Sequence, residues 1–163
     1  MLTQCPTTEP RVFALLIGIN NYWSTRKQKL RGAVYDAHQM RRYLGADLGV
    51  PDKRIRLLCD DDATRERIIA EFEALITNPD IQHGDALVIF FAGHGSRARV
   101  SPDWHAEGET VETICPVDEE FGDGESEIHG IPDRTIAGLV HRLASAKGGN
   151  IVSSNPDVWT LLI

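Results

Sequence analysis

Cysteine is scarce in this sequence, and so are basic residues and long apolar runs. The chain has three widely spaced cysteines in 163 residues, Cys5, Cys59 and Cys115, without CxxC spacing, so neither a disulfide framework nor a zinc site is predicted. Its 17 basic residues are outnumbered by 24 acidic ones, and a net charge of -7 argues against binding to a nucleic-acid backbone. No apolar run reaches the ~20 residues that cross a bilayer. These absences predict a chain without nucleic-acid or membrane partners, in a reducing, cytoplasmic compartment.

Other absences narrow the organisation of the chain. Neither GxGxxG nor GxxxxGK[ST] occurs, so a nucleotide-binding domain is not favoured. The first ten residues, MLTQCPTTEP, lack both a basic start and an apolar core, which predicts a disordered tail rather than a secretion signal. There is no internal repeat and no linker. We therefore expect a disordered tail at residues 1–10, one domain over residues 11–152 and a divergent C-terminal tail at residues 153–163.

Strand and helix patterns alternate along the domain. Near-continuous apolar runs predict strands, which are RVFALLIGI (11–19), RIRLL (54–58) and ALVIFFA (86–92). Apolar residues at helical spacing predict helices, which run from Gly32 to about Leu48, from Thr64 to about Asn78 and from Asp133 to about Gly148. Between them, VETICPV suggests a small β excursion within the polar stretch 96–131. This alternation predicts an α/β fold, a doubly wound and mostly parallel sheet with helices on both faces.

The stretch VIFFAGHGSR, residues 88–97, places a histidine directly after a buried strand. In open parallel sheets the functional crevice lies outside the carboxyl ends of the strands, so His94 is well placed for chemistry. Gly93 and Gly95 leave room for a substrate backbone, and imidazole is the usual proton carrier at neutral pH. The alternative is a turn with a hydrogen-bonded histidine. The other histidines fall on helix faces or polar loops, and we expect them at the surface: His38, His83, His105, His129 and His141.

An ordered series of motifs resembles one known family. The motifs are FALLIGIN, LRGAVYDA, LGVP, ATRERII, GDALVIFFAGHGSR, ICPVDE, GIPDRTI and GGNIV. In this order they resemble the caspase-like fold of the metacaspase family of cysteine endopeptidases, from about Arg11 to Val152. The resemblance implies a three-layer caspase-like fold and a peptide or protein substrate.

The resemblance also implies roles for single residues. His94 matches the family's base, which pairs with a cysteine at the end of the fourth strand to hydrolyse peptide bonds. Gly95, the next residue, would donate its backbone N–H to the oxyanion, as the chemistry of acyl transfer requires. Asp36 matches an acidic residue of the primary specificity pocket, which would favour Arg or Lys before the scissile bond. Ala33 and Ala92 replace residues that are often Cys and Ser in metacaspases and that help to line this pocket. Both differences weaken the inference that the family's specificity applies to this chain.

The family's nucleophile does not follow the fourth strand in this sequence. After Val152 the chain continues as SSNPDVWTLLI, in which turn residues and Pro156 break the strand pattern, and no cysteine occurs. We expect the C-terminal strands to be missing and the chain to be an inactive peptidase domain truncated before its nucleophile. The alternative is a non-catalytic pseudo-protease that pairs with itself or with a complete homologue through an exposed sheet edge.

Other nucleophilic side chains do not replace the missing thiol. Ser153 and Ser154 stand at the entrance of the fourth strand, and a strand of ordinary length puts them roughly 17–20 Å from His94. The three cysteines lie in the N-terminal tail, at the end of the second strand and in the β excursion. We expect buried or idle thiols at all three positions.

Calcium is a weaker expectation of the resemblance. Some metacaspases bind calcium through carboxylates after the PVD motif and at the start of the next helix. Asp118 and Asp133 match in type, but Arg134 stands where a second carboxylate is expected, and Glu112 and Asp123 are the other hard oxygen donors nearby. No EF-hand spacing is present, so we favour a solvated acidic loop with no metal and no cofactor over a calcium site.

Overall fold

The computed structural model describes residues 10–99, 110–120 and 128–154. Its elements, in chain order, are β1 (Val12–Gly18), α1 (Ala33–Arg42), β2 (Ile55–Cys59), α2 (Arg65–Thr77), β3 (Ala86–Ala92), β4 (Gly95–Arg99), β5 (Thr110–Ile114), β6 (Ile131–Pro132), α3 (Asp133–Lys147) and β7 (Ile151–Ser154). Four strands form a parallel sheet in the order β2-β1-β3-β7, and three form an antiparallel sheet in the order β4-β5-β6. The predicted tails fall largely on residues 1–9 and 155–163, which lie outside the described residues.

Side chains of the parallel sheet divide between two apolar layers. Because side chains alternate along a strand, Leu15 and Ile17 of β1 face the layer that holds α2 and α3, whereas Ala14 and Leu16 face the layer that holds the end of α1. β3 alternates in the same way. Helices therefore cover both faces of a mostly parallel sheet, and the predicted three-layer, doubly wound, caspase-like α/β fold is confirmed.

Local sequence signals account for the helix boundaries. Thr64 begins α2 as expected, since its Oγ1 accepts a hydrogen bond from the N–H of Arg67 at 3.2 Å. Gly18 ends β1 against α1, where an added Cβ would lie 2.7 Å from the carbonyl oxygen of Ala33 and 2.8 Å from Cβ of Ala37. α1 continues into a π-helical turn, Tyr43–Asp47, so the predicted first helix ends in a wider turn. The close approach at Gly18 holds the start of α1 at the carboxyl edge of the sheet.

The small antiparallel sheet begins immediately after His94. The expected β excursion in VETICPV is present as β5, which pairs with both β4 and β6. β4 was not predicted, because GSRAR has no apolar alternation and its strand structure depends on pairing with β5. The residues after His94 therefore form a paired strand rather than an open loop.

The fourth parallel strand begins where the sequence predicts it. β7 pairs with β3 in the register Ile89 to Ser153 and Phe90 to Ser154. Phe90 and Ile89 precede His94 by four and five residues, so at about 3.3 Å per residue Ser154 lies about 13 Å and Ser153 about 17 Å from His94 along the strand direction. The expected 17–20 Å therefore holds for Ser153 and is too long for Ser154, because Ser154 is the last residue of β7 rather than a residue at its entrance. This spacing still prevents a hydrogen bond between Ser154 and His94.

No helix in the described part of the chain is both long and apolar enough to cross a membrane.

Candidate active site

His94 lies two residues beyond β3, at the carboxyl edge of the parallel sheet and between the two sheets. Gly93 makes this position possible. A Cβ added at Gly93 would lie 2.8 Å from Cζ of Phe91 and 2.9 Å from the hydroxyl oxygen of Tyr22, closer than real Cβ contacts. The absence of a side chain at Gly93 therefore lets the backbone lie against Phe91 and Tyr22 where it turns from β3 into β4.

The imidazole of His94 is held by a backbone carbonyl. Its Nε2 lies 2.6 Å from the carbonyl oxygen of Gln28, in the loop between β1 and α1. A carbonyl oxygen only accepts hydrogen bonds, so Nε2 must carry the proton and donate it. In the neutral ring Nδ1 then holds the free lone pair. The geometry leaves Nδ1 as the nitrogen that can accept a proton.

The backbone of His94 is held on both sides. Its N–H donates to the hydroxyl oxygen of Tyr22 at 2.7 Å, and its carbonyl accepts from the N–H of Cys115 at 2.9 Å. The Tyr22 ring also packs against the imidazole, with centroids 5.1 Å apart and planes inclined by 42°. Burial raises the pKa of Tyr22, so the phenol stays protonated at neutral pH.

A buried ion pair lies behind Tyr22. Lys27 Nζ is 2.5 Å from Oε2 of Glu119 and 3.2 Å from Sγ of Cys115, and it sits 5.7 Å from the centre of the Tyr22 ring. The side chains of Lys27 and Glu119 are 11% and 3% exposed. Burial and the Glu119 carboxylate raise the pKa of Cys115 to about 12, although Lys27 opposes them. Cys115 is consequently a buried thiol, as expected, and its raised pKa disfavours the thiolate.

Gly95 begins β4 opposite Ile114 of β5. The hydrogen bond from Cys115 N–H to the His94 carbonyl makes Gly95 and Ile114 a non-hydrogen-bonded pair of the antiparallel ladder. The N–H of Gly95 is therefore directed away from β5. It is available beside His94 on the outer side of the strand.

Asp36 lies in the first turn of α1, which follows the carboxyl end of β1. Its side chain is exposed, and the start of the helix is held by a hydrogen bond from Val34 N–H to Oδ1 of Asn20 at 3.3 Å. Asp36 and His94 thus stand at the same edge of the sheet, after neighbouring strands, without contact between them among the described interactions. Ala33 and Ala92 are both buried in this region.

Cys59 is the last residue of β2, as the sequence indicated. β1 separates β2 from β3, so two interstrand spacings, about 10 Å, lie between Cys59 and the strand that precedes His94. Its Sγ instead lies 3.9 Å from Nε2 of His38, an exposed histidine. Burial and the nearby Asp60 and Asp62 raise the pKa of Cys59, which disfavours the thiolate. Cys5 lies outside the described residues.

The carboxylates considered for calcium have other partners. Oδ1 of Asp118 accepts from the N–H of Arg65 at 2.8 Å and so caps α2, while Asp133 accepts from the N–H of Arg134 at 2.5 Å. Glu112 faces Arg97 across the small sheet. Over residues 10–99, 110–120 and 128–154, no three His, Cys, Asp or Glu side chains converge as a metal site. Asp123 lies outside the described residues.

Sequence reasoning missed the residues that surround His94: Tyr22, Lys27, Gln28 and Glu119. Tyr22 could have been found, because it lies four residues beyond β1 at the same carboxyl edge as His94. Gln28 acts through its backbone carbonyl, which no side-chain pattern reveals. Lys27 and Glu119 are 92 residues apart, so the sequence alone predicts two exposed charges rather than a buried pair.

The fold and the site together define a three-layer caspase-like domain with a histidine at the end of a central strand. The family described as "Metacaspase, peptidase C14 domain" matches residues 13–147. The chain belongs to this metacaspase family, and the resemblance seen in the sequence is confirmed.

Individual relatives agree with this assignment. The chain is 31% identical to Metacaspase-7 of Arabidopsis thaliana over 147 residues, which cover 87% of this chain and 33% of that protein. It is 34% identical to Metacaspase-1 of Mycosarcoma maydis over 131 residues, 76% of this chain and 31% of that protein. It is 36% identical to Metacaspase-1 of Candida glabrata over 111 residues, 64% of this chain and 27% of that protein. The matched region thus spans a third or less of the length of these relatives.

A solved structure shares the fold. The crystal structure of protein GSU0716 from Geobacter sulfurreducens superposes with a TM-score of 0.64 at 19% sequence identity. The superposition covers 88% of this chain and 48% of that chain. At this identity the likeness shows the fold alone.

Proposed function

We propose that this domain carries the base half of a Cys–His endopeptidase site, with His94 as the base. One observation carries the proposal, the hydrogen bond from Nε2 of His94 to the carbonyl of Gln28. It fixes the tautomer in which Nδ1 accepts a proton, which is what activation of a thiol requires. The position of His94 at the carboxyl edge of the sheet supports the same role.

In the proposed reaction, Nδ1 of His94 takes the proton of a thiol, and the thiolate attacks the carbonyl carbon of the scissile peptide bond. The Gly95 N–H stabilises the resulting oxyanion, and its direction away from β5 supports this assignment. The imidazolium then gives its proton to the leaving amine, and water hydrolyses the acyl-enzyme. In metacaspases the thiol belongs to a cysteine at the end of the fourth strand.

The 163-residue polypeptide holds no cysteine after Cys115. Cys59 and Cys115 are poor substitutes for the missing nucleophile. Cys59 ends β2, which β1 separates from β3, and Cys115 is buried with a raised pKa. We therefore propose that this polypeptide does not cleave peptides by itself. Purified chain would be incubated with fluorogenic peptides that carry Arg, Lys or Asp before the scissile bond. We expect no cleavage above the blank, whereas cleavage that disappears in His94→Ala would overturn the proposed inactivity.

Asp36 is proposed to select Arg or Lys in the primary specificity pocket. Its exposed carboxylate stands at the same sheet edge as His94, where a cationic side chain can reach it. Binding of an uncleaved Arg peptide can be followed by titration calorimetry, with Asp36→Asn as the test and Asp47→Asn, another exposed acid near the end of α1, as the control. We expect about tenfold weaker binding for Asp36→Asn alone, the size of one charge-assisted contact. Equal binding by both variants would remove Asp36 from the pocket.

A second candidate function is that of a non-catalytic partner of a complete metacaspase, or of a second copy of this chain. The observation that favours it is the position of β7 at the edge of the described sheet, with Val152 59% exposed. Unpaired strand edges template association through backbone hydrogen bonds. Val152→Arg places a charge on this edge strand and would weaken such pairing. If wild type and Val152→Arg sediment alike, and if the wild-type chain leaves the activity of a complete homologue unchanged on mixing, the partner function would be contradicted.

We also propose a reducing, cytoplasmic location. The two described cysteines, Cys59 and Cys115, both carry free thiols, which supports this compartment. Alkylation in intact cells followed by mass spectrometry should find both thiols reduced. A disulfide at either position would indicate an oxidising compartment.

A further inference from the structure

We propose that Tyr22 is a positioning residue for His94, which it holds by both its hydroxyl and its ring. This inference rests on the proposed function of His94 as the base. Tyr22 is in contact with three features of the site: the His94 N–H at 2.7 Å, the imidazole at 5.1 Å between centroids, and the position where Gly93 admits no Cβ. Among the hydrogen bonds and ring contacts of the described residues, no other side chain reaches both the backbone and the ring of His94.

The hydroxyl of Tyr22 fixes the turn between β3 and β4. The His94 N–H is the first amide after Gly93, and it lies outside the ladder that β4 makes with β5. Without the hydroxyl, this half-buried amide has no described acceptor, which is unfavourable for a buried donor. The hydroxyl thus supports the backbone conformation from which the imidazole projects.

The ring of Tyr22 limits rotation of the imidazole. The Gln28 carbonyl gives Nε2 one point of attachment, about which the ring can still tilt. Tyr22 supplies a second contact through its ring, which is inclined by 42° to the imidazole, so that the imidazole is held at two points. Two points of contact determine where Nδ1 is directed, which a single hydrogen bond does not.

Lys27 also contacts the Tyr22 ring. Its ammonium lies 5.7 Å from the Tyr22 ring centre, within the range of a cation–π contact, and its ion pair with Glu119 anchors it to the segment after β5. The same segment holds the His94 carbonyl through Cys115 N–H. Tyr22 therefore contacts both the imidazole and an anchored ammonium, and the segment that anchors the ammonium also holds the His94 carbonyl.

The tautomer and mobility of His94 can be measured without catalysis. Long-range proton–nitrogen correlation spectra of the ¹⁵N-labelled full chain, recorded where histidine is neutral, report which ring nitrogen carries the proton. His94→Gln assigns the signals among the six histidines. The variants are Tyr22→Phe, which removes only the hydroxyl, Tyr22→Leu, which also removes the ring, and Arg41→Met, which removes an exposed ion pair with Asp52 as a control.

We expect wild type to show a single Nε2–H tautomer at His94. Tyr22→Phe should keep this tautomer but exchange the His94 amide proton roughly 5- to 50-fold faster, as expected for one lost acceptor. Tyr22→Leu should add a measurable Nδ1–H population, and Arg41→Met should change neither property. Exchange of core amides such as Leu87 separates these local effects from loss of overall stability.

Two results would count against different parts of the inference. Wild-type ring shifts and amide exchange in both Tyr22 variants would show that Tyr22 does not position His94. An Nδ1–H tautomer in wild type would instead overturn the assignment of the base and leave the role of Tyr22 intact. If Tyr22→Leu does not fold, amide exchange in Tyr22→Phe still tests the hydroxyl, and unchanged exchange there would overturn its role in holding the His94 backbone.

Discussion

Replacing Lys27 by methionine tests the buried ion pair that supports the site. Methionine keeps much of the apolar length of lysine but leaves the Glu119 carboxylate, 3% exposed, without its cation. Removing one partner of a buried pair costs about 3–5 kcal/mol, because the other charge remains desolvated. For a chain of this size, 1 kcal/mol corresponds to about 2–4 °C, so the melting temperature should fall by roughly 6–20 °C.

The matched control is Arg142→Met, which removes the ion pair between Arg142 and Glu73. The two side chains of that pair are 56% and 39% exposed, and exposed pairs contribute about 0–1 kcal/mol. The free energy of unfolding would be measured by urea denaturation followed by circular dichroism, at low and at high salt. Added salt should reduce the effect of Arg142→Met and leave most of the effect of Lys27→Met, because burial limits screening.

The double variant Lys27→Met/Glu119→Gln, measured together with Glu119→Gln alone, completes a double-mutant cycle for this pair. Removing both charges leaves no uncompensated charge, so the double variant should be about 1–3 kcal/mol more stable than Lys27→Met alone. A loss below about 1 kcal/mol in Lys27→Met, equal to that of Arg142→Met, would show that the pair is solvated and that the reasoning from burial is wrong.

Three further predictions concern groups away from the ion pair. Iodoacetamide at pH 8 should modify half-buried Cys59 in the native chain and reach Cys115 only in urea, since Cys115 is fully buried with a pKa of about 12; equal rates by peptide mapping would contradict this. Thr64→Ala should lower the free energy of unfolding by about 1 kcal/mol through loss of the α2 cap, while Thr64→Ser should retain it; urea denaturation distinguishes them. The Arg11 guanidinium lowers the pKa of Asp85, so this pair contributes stability above about pH 4 that is lost as the pH falls through the lowered pKa. Urea titrations should show the stability difference between wild type and Asp85→Asn shrinking below that pH, and a constant difference would refute the coupling.

Much of the fold and one residue of the site follow from the order of residues alone. Strand β3 has the predicted bounds because a continuous run of apolar side chains needs cover on both faces of a parallel sheet. The start of α2 at Thr64 follows from a local cap, and the position of His94 follows from the end of β3. Each of these depends on neighbours within a few residues, which a sequence displays directly.

The surroundings of His94 were decided only by tertiary structure. Gln28 contributes a backbone carbonyl, which is chemically the same at every residue, so its selection depends on where the loop between β1 and α1 lies. Lys27 and Glu119 become a buried pair, and β4 becomes a strand, only when distant segments meet. Local sequence thus determined which histidine stands at the sheet edge. Long-range packing decided its tautomer and held its backbone, because the hydrogen-bond partners of its ring and its N–H, 66 and 72 residues away, are set by the fold.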